Sequence, residues 1–111
     1  CVRSNPNLII TNKTPQSNIS MIFLVNVTNR DYKCSLESFE FFTSCPSTFT
    51  CSINDKTVSI ESGNASSATD FSMSPKNITA LTSGNYTFQI TVKNRVDTRY
   101  TATNSSSYEI K

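Results

Sequence analysis

The chain has 111 residues and a formal net charge of +2, and only 16% of its residues are charged. This length is typical of one domain, so we expect a single domain over residues 1–111. That domain could in turn be one repeat or one subunit of a larger assembly. A charge so close to zero provides no basic field for nucleic acid. The longest apolar run, MIFLV at 21–25, is too short to span a bilayer. Both observations argue against nucleic acid partners and membrane insertion.

Apolar and polar residues alternate with a period of two along the chain, whereas helical periodicity is missing, so the sequence predicts an all-β domain. Turn-forming clusters separate the strands. The predicted strands are 7–11, 18–28, 35–43, 49–53, 57–61, 68–74, 85–94 and 98–103, with a last segment at 107–111. Seven to nine short strands indicate an immunoglobulin-like sandwich of two antiparallel sheets, with a closed barrel as the alternative.

The chain contains four cysteines and no histidine. No two cysteines form a Cys-x-x-Cys pair, so zinc binding is a poor fit and disulfides are the better interpretation. Three connectivities are open, and the spacing favours Cys45 with Cys51 across the hairpin-like CPSTFTC loop, which leaves Cys1 for Cys34. A start at Cys1, without a Met or an apolar leader, is typical of a mature secreted product or of a module cut from a longer polypeptide.

The Asn-x-Ser/Thr acceptor for N-linked glycans occurs seven times, whereas the 12 Asn, 18 Ser and 15 Thr predict about four by chance. On the second strand the odd-numbered residues from 19 to 27 are apolar and turn inward, so Asn18 and Asn26 face outward. The same alternation exposes Asn85 on strand 85–94. The remaining acceptors are Asn64 and Asn77 in turn-like contexts, Asn12 close to Pro15, and Asn104, which shares the parity of Tyr100 and Tyr108 and needs a bulge or turn for exposure. The pattern predicts a secreted or cell-surface glycoprotein.

Four sequence segments are arranged as in a known module: Cys-x-Arg-x-x-Pro at 1–6, Asn-x-Asp-x-x-Cys at 29–34, VSIESGNASSATDFSMSP at 58–75 and SGNYTFQITVKN at 83–94. This layout resembles the immunoglobulin-like, NPCBM-associated module of alpha-galactosidases and other secreted bacterial and protist enzymes and surface proteins. The resemblance implies a disulfide between Cys1 and Cys34 and a non-catalytic extracellular role as a spacer or docking module. Cys45 and Cys51 are not part of that pattern.

One aromatic residue has two interpretations. Tyr86 begins a late strand, as the corner tyrosine of immunoglobulin-like sandwiches does, where the hydroxyl bonds back to the backbone. An ordinary core aromatic is the alternative.

Catalytic chemistry has little support in the sequence. Without histidine the usual relay for a serine or cysteine nucleophile cannot be assembled. The eight acidic residues are scattered, as solvated surface groups are, and Asp31, Asp55 and Asp97 lack the Asx-dense loop of a calcium site. We therefore expect no enzyme activity, no cofactor and no metal.

Apolar residues occur on faces that should be polar. Ile22 and Leu24 lie between the outward acceptors of the second strand, and Leu36 and Phe42 face away from the core on the third. One explanation is that a loop of the same domain covers these residues, or that a bulge shifts the alternation so that they face inward. The other is that they contact a neighbouring copy or an adjacent repeat.

The favoured function is therefore a non-catalytic structural module of an N-glycosylated surface protein or filament that works by self-association or stacking. The alternative is an accessory carbohydrate- or protein-binding module of a secreted enzyme, with Tyr32, Tyr100 and Tyr108 as a dispersed set of sugar-stacking rings.

Overall fold

A computed structural model describes residues 1–15, 18–66 and 68–111. Within these residues the chain forms eight β-strands and one 3-10 helix, Ile78–Ala80. The strands are β1 (Asn7–Asn12), β2 (Met21–Thr28), β3 (Glu37–Ser44), β4 (Phe49–Ile53), β5 (Thr57–Ile60), β6 (Thr69–Pro75), β7 (Gly84–Asn94) and β8 (Thr101–Ile110). The described part of the chain has no helix that is long and apolar enough to cross a membrane.

The strands form two antiparallel four-stranded sheets that face each other. The first sheet has the order β1-β2-β6-β4 and the second has the order β5-β3-β7-β8. In the strand letters of immunoglobulin domains this order is A-B-E-D against C′-C-F-G, except that the chain reaches the D position with β4 before it reaches the C′ position with β5. The predicted two-sheet sandwich is thus confirmed. Compared with immunoglobulin domains, its fourth and fifth strands have exchanged places in the chain order.

Inward-facing side chains of both sheets build one apolar core. Residues of β2 alternate between buried and half-buried along the whole strand, as the pleat of a half-buried strand requires. Phe88 of β7 joins the two layers, because its ring centroid lies 4.6 Å from that of Phe23 and 4.7 Å from that of Phe71. Rings from β2 and β6 therefore interdigitate with the facing sheet.

Three of the predicted strands have wrong boundaries. β3 begins at Glu37 rather than at residue 35, so Leu36 precedes the strand on which it was predicted to lie. β2 begins at Met21 rather than at residue 18, because pairing with β6 starts only at Met21↔Met73. Ile19 therefore lies outside the strand and is 68% exposed, so the inward orientation assigned to it is incorrect. The segments 98–103 and 107–111 are one strand, β8, which pairs with β7 from Gly84↔Ile110 to Lys93↔Thr101. The polar NSSS stretch resembles a loop, but an edge strand with one solvated face accommodates it.

Disulfides join Cys1 to Cys34 and Cys45 to Cys51, the pairing that the spacing favours. The CPSTFTC loop, however, is not a hairpin. β3 ends in the second sheet and β4 belongs to the first, so Cys45–Cys51 bridges the corner at which the chain changes sheets.

Tyr86 satisfies both interpretations of it. Its hydroxyl donates a hydrogen bond of 2.7 Å to the carbonyl oxygen of Thr82, four residues upstream, as in a tyrosine corner. Its ring also packs on Phe49, at 4.9 Å between centroids. The residue therefore anchors the start of β7 to both the preceding loop and the core.

Candidate functional site

The outer face of the first sheet carries a short apolar strip, formed by Ile9, Ile22 and Leu24. Ile9 lies opposite Asn26 in the β1–β2 register and is 48% exposed, while Ile22 and Leu24 are half-buried. Ile9 was missed at the sequence level, because the pairing of β1 with β2 was unknown.

An ion pair within the domain partly covers this strip. Lys13 follows β1 and Asp70 belongs to β6, and their charged atoms are 3.0 Å apart. Because β2 lies between β1 and β6, the lysine stem must cross β2 at the level of Ile22 and Leu24. The sequence left open whether these residues are covered within the domain or are free to contact a neighbour. Both hold in part, because the ion pair partly covers Ile22 and Leu24 while Ile9 remains exposed.

The outer face of the second sheet carries Leu36 and Phe42, which are 59% and 45% exposed. Lys93 of β7 places its Nζ 5.1 Å from the centroid of the Phe42 ring. A cavity of about 100 Å³ lies beside this ring, lined by Glu40, Phe42, Lys93, Asn94, Arg95 and Thr98. The four predicted contact residues therefore occupy two opposite faces of the sandwich, two on each, rather than one patch.

Several predicted acceptors are exposed or half-buried at the surface. Asn26 is half-buried on the outer face of β2, and Asn64 and Asn12 are exposed. Asn77 is exposed, and its Oδ1 accepts hydrogen bonds from the backbone nitrogen and hydroxyl of Thr79, which leaves its Nδ2 directed elsewhere.

Asn85 lies beside an unpaired strand edge. It is exposed on the stretch of β7 that extends beyond the end of β3, where pairing stops at Ser44↔Gln89. On the β3 side, no described strand pairs with residues 84–88 of β7.

The amide nitrogens of two other acceptors are already engaged. Asn104 is exposed without a bulge, but its Nδ2 donates to the carbonyl oxygen of Leu8 at 3.1 Å and ties β8 to β1. Asn18 is exposed as predicted, yet it precedes β2 rather than lying on its outer face, and its Nδ2 donates to the carbonyl oxygen of Lys111 at 3.2 Å. A glycan on either nitrogen would compete with these bonds.

A buried polar cluster at one end of the sandwich was missed at the sequence level. Glu37 is 2% exposed and accepts bonds of 3.0 Å from Arg3 Nε and 2.8 Å from Asn94 Nδ2. Asp31, 4% exposed, accepts a 2.9 Å bond from the backbone nitrogen of Ser4. The signal was available in the alternation, because Glu37 shares the parity of Phe39 and Phe41.

This cluster holds the amino-terminal segment on the sandwich. Val2 and Tyr32 exchange backbone hydrogen bonds of 2.9 and 2.7 Å, next to the Cys1–Cys34 disulfide. We call the end of the sandwich where residues 1–6, the β2–β3 loop and the β7–β8 loop meet the clasp end. The opposite end, with the β3–β4 corner and the β6–β7 loop, is the far end.

The two buried carboxyl groups differ in their proton affinity. Burial is the main cause that raises the pKa of Asp31, and neighbouring Glu37 raises it further. For Glu37, burial alone would raise the pKa, but hydrogen bonds from Asn94 and Arg3 outweigh it and the pKa is lowered. Among the described residues, Oδ2 of Asp31 has no hydrogen-bond partner. A proton on that oxygen would make it a donor to the neighbouring carboxylate of Glu37.

Three potential metal-ligand atoms lie within 4.8 Å of one another among the described residues: the sulfurs of Cys1 and Cys34 and a carboxylate oxygen of Glu37. The disulfide engages both sulfurs, and Arg3 and Asn94 hold the carboxylate. The set therefore offers no thiolate. Of the acids considered for calcium, Asp97 is bound by Arg99, whose hydrogen bonds lower its pKa to about 2.

The three tyrosines do not form a sugar-binding platform. Tyr108 is fully buried, so its predicted solvent exposure is wrong, because inward parity places it against Phe49 in the core. Tyr100 is half-buried beneath Arg99, and only Tyr32 is largely exposed.

Comparison with known proteins informs the fold alone. No family model matches the chain, and no curated protein matches it in sequence. A FixG-related protein from Vibrio parahaemolyticus has a similar structure, with a TM-score of 0.74 and 12% sequence identity over 97% of this chain and 98% of that one. The GAE domain of yeast GGA1 superposes less well, with a TM-score of 0.44 and 13% identity over 94% of this chain and 91% of that one. The first likeness supports the sandwich architecture.

Proposed function

We propose that this chain is a non-catalytic structural module of an extracellular, N-glycosylated surface protein or filament, and that it works by contact with copies of itself or with adjacent domains. The observation that carries the proposal is the placement of exposed apolar side chains on both outer faces of the sandwich. Exposed aliphatic and aromatic groups on opposite sides are costly for an isolated soluble domain and are typical of contact surfaces.

The two faces are not equivalent, and this supports an array over a closed pair. One carries the apolar strip, and the other carries Leu36 and Phe42 beside Lys93. A module with two different contact surfaces on opposite sides can touch two neighbours at once. Contacts of this head-to-tail kind extend into filaments or rings rather than stopping at a dimer.

The covalent features support an extracellular setting. Two disulfides are typical of an oxidising compartment, and the exposed acceptors Asn64, Asn77 and Asn85 leave room for glycans. A glycan on Asn85 would also shield the unpaired edge of β7 from other strands. A glycan on Asn26 would stand at the Ile9 end of the apolar strip, so the contact there is expected to involve Ile22 and Leu24 together with the Lys13–Asp70 ion pair that partly covers them.

Protein secreted from eukaryotic cells tests this proposal. Sedimentation velocity across a range of concentrations, combined with negative-stain electron microscopy, should show concentration-dependent oligomers that grow into ordered chains. A protein that stays monomeric at every concentration, with or without enzymatic deglycosylation, would contradict self-association.

A further inference from the structure

All four arginines of the chain lie at the clasp end of the sandwich. Arg3 belongs to the amino-terminal segment, Arg30 to the β2–β3 loop, and Arg95 and Arg99 to the β7–β8 loop. Two of them are neutralised locally, since Arg3 pairs with buried Glu37 and Arg99 pairs with Asp97. Arg30 and Arg95 are exposed and form no ion pair within the described residues.

Arg95 extends a surface that is both basic and apolar. Its backbone nitrogen bonds to the carbonyl oxygen of Ser38 at 2.9 Å, so it continues the β3–β7 register one step beyond Phe39↔Asn94. The outward row of β7 therefore presents Lys93 and then Arg95. We call Leu36, Phe42, Lys93, Arg95 and Val96 the Arg95 surface.

The apolar members of this surface are well exposed. Leu36 and Val96 are 59% and 62% exposed, and Phe42 forms one wall of the cavity of about 100 Å³ whose other walls include Lys93 and Arg95. Arginine and aromatic side chains are enriched in the energetic centres of protein interfaces, whereas aliphatic groups such as Leu36 and Val96 contribute nothing to binding a phosphate or a sulfate. The composition therefore favours a protein partner over an anionic polymer.

The net charge at the clasp end indicates whether the partner surface is acidic or basic. Lys33 is a third exposed cation without an ion pair in the described structure, whereas Glu61 is the matching exposed carboxylate at this end. Glu40 lies directly opposite Lys93 and offsets it. The exposed charges at this end are thus three cations and one carboxylate, and buried Asp31 adds a second negative charge when it is ionised. The net positive charge repels a second copy of the same end and attracts carboxylates.

We propose that the Arg95 surface docks an acidic protein surface, with a partner carboxylate entering the cavity between Phe42, Lys93 and Arg95 and apolar partner groups covering Leu36 and Val96. This inference goes beyond the proposed function, because it concerns a partner of different chemistry from the module itself. Since Leu36, Phe42 and Lys93 also belong to the second contact face of the proposed function, an acidic partner and a neighbouring copy would compete for that face. No glycan acceptor lies on the Arg95 surface, since Asn85, the acceptor on the outward row of β7, is at the far end of that strand.

Binding of monomeric protein to an array of short acidic synthetic peptides that carry apolar side chains tests the proposal. A basic peptide array of equal length, heparin, and vesicles containing phosphatidylserine serve as the alternative probes. We expect selective binding to acidic peptides, weakened by about tenfold or more in Arg95→Glu, because truncated or reversed charge pairs at an interface have effects of this size. Lys76→Glu at the far end is the matched control and should change the affinity little.

Three results would overturn the proposal. One is binding to heparin or vesicles alone, which would assign the surface to a sulfated sugar or an anionic lipid. Another is an equal loss in Arg95→Glu and Lys76→Glu, which would show attraction by net charge without a docking surface. The third is no binding to any acidic peptide. Because Arg95→Glu changes an exposed side chain, an unchanged urea midpoint should accompany its loss of binding.

Discussion

Tyr86 shows how one side chain can organise a corner of the sandwich. Its ring is packed on Phe49 and its hydroxyl is bonded to Thr82. Tyr86→Phe keeps the ring and removes the hydroxyl, so we expect a loss of about 1 kcal/mol in the free energy of unfolding, the usual worth of such a bond. Urea denaturation measures it, with Tyr32→Phe at an exposed position as the control. Equal stability of both variants would show that the corner bond contributes nothing.

Asp31 is predicted to make stability depend on pH in an unusual direction. Its pKa is raised in the folded state, so its favourable contribution is complete below the unfolded pKa and is lost as pH rises through the folded pKa. At neutral pH an ionised Asp31 leaves Oδ2 buried without a partner. Asp31→Asn should therefore be more stable than the wild type at neutral pH, by about 1 kcal/mol or more.

Urea unfolding at neutral pH and near pH ~4, close to the unfolded pKa of an aspartate, distinguishes the cause. The advantage of Asp31→Asn should shrink at the lower pH, where the wild-type carboxyl binds its proton. Asp55→Asn, at an exposed site, is the control. A stability difference for Asp31→Asn that does not vary with pH would mean that shape, not ionisation, is responsible.

At the scale of strands and loops, alternation predicted most of the architecture. Five of the eight strands begin and end within one residue of the prediction, because their patterns alternate cleanly. The failures have a common physical cause: a strand boundary depends on its pairing partner. Residues 18–20 look like strand but precede the first β2–β6 pair, Met21↔Met73, and NSSS looks like loop but is paired with β7 over its whole length.

The same limit explains what was missed in the candidate site. Outward parity correctly placed Ile22, Leu24 and Phe42 away from the core. The sequence does not reveal which strands pair or in which register. For this reason it did not predict that Ile9 lies beside β2, or that the four contact residues lie on two different faces. Alternation places Glu37 inward with Phe39 and Phe41, but its partners Arg3 and Asn94 are 34 and 57 positions away, which no local pattern reveals.

The two disulfides should contribute unequally. Cys1 and Cys34 are 33 positions apart, and Cys45 and Cys51 are 6 apart. Because the chain entropy removed from the unfolded state grows with loop length, replacing the first pair by Ser should cost about 4 kcal/mol and the second about 2 kcal/mol. Thermal or urea unfolding of the two double variants checks this order. A larger loss from the Cys45–Cys51 pair would instead identify the sheet-changing corner as the more important restraint.

Glycan occupancy should follow the freedom of each acceptor nitrogen. Asn26 and Asn85 make no side-chain hydrogen bond in the described structure, whereas Asn104 holds β8 to β1. We expect glycans on Asn26 and Asn85 and little or none on Asn104 in folded, secreted protein. Enzymatic deglycosylation with peptide mass mapping reads out all three sites. Unmodified Asn26 and Asn85 beside a fully occupied Asn104 would reverse this prediction.

At the scale of the whole molecule, apolar, charged and glycan-acceptor residues lie on different parts of the surface. The sandwich is elongated, with extents of 52 × 23 × 18 Å, so its broad faces offer more contact area than its ends. Apolar groups lie on both faces, three exposed cations without an ion pair in the described structure, Arg30, Lys33 and Arg95, lie at the clasp end, and Asn77 and Asn85 lie toward the far end. A module of this kind can contact neighbours laterally while glycans at its far end stay clear of the contact faces. Asn26, on the outer face of β2, and Asn64, at the clasp end, are acceptors outside this arrangement.

The most direct test of contact through the apolar strip is the double variant Ile22→Ser with Leu24→Ser. Sedimentation velocity and electron microscopy measure whether this variant still assembles. Because both side chains are already half-buried, covering the rest of each against a neighbour would contribute about 1 kcal/mol, and the variant should remain monomeric under conditions in which the wild type forms ordered oligomers. Ile19→Ser with Ile78→Ser removes two exposed apolar groups at the far end and should assemble as the wild type does. Normal assembly of the Ile22 and Leu24 variant, or its unfolding, would contradict a contact role for the strip.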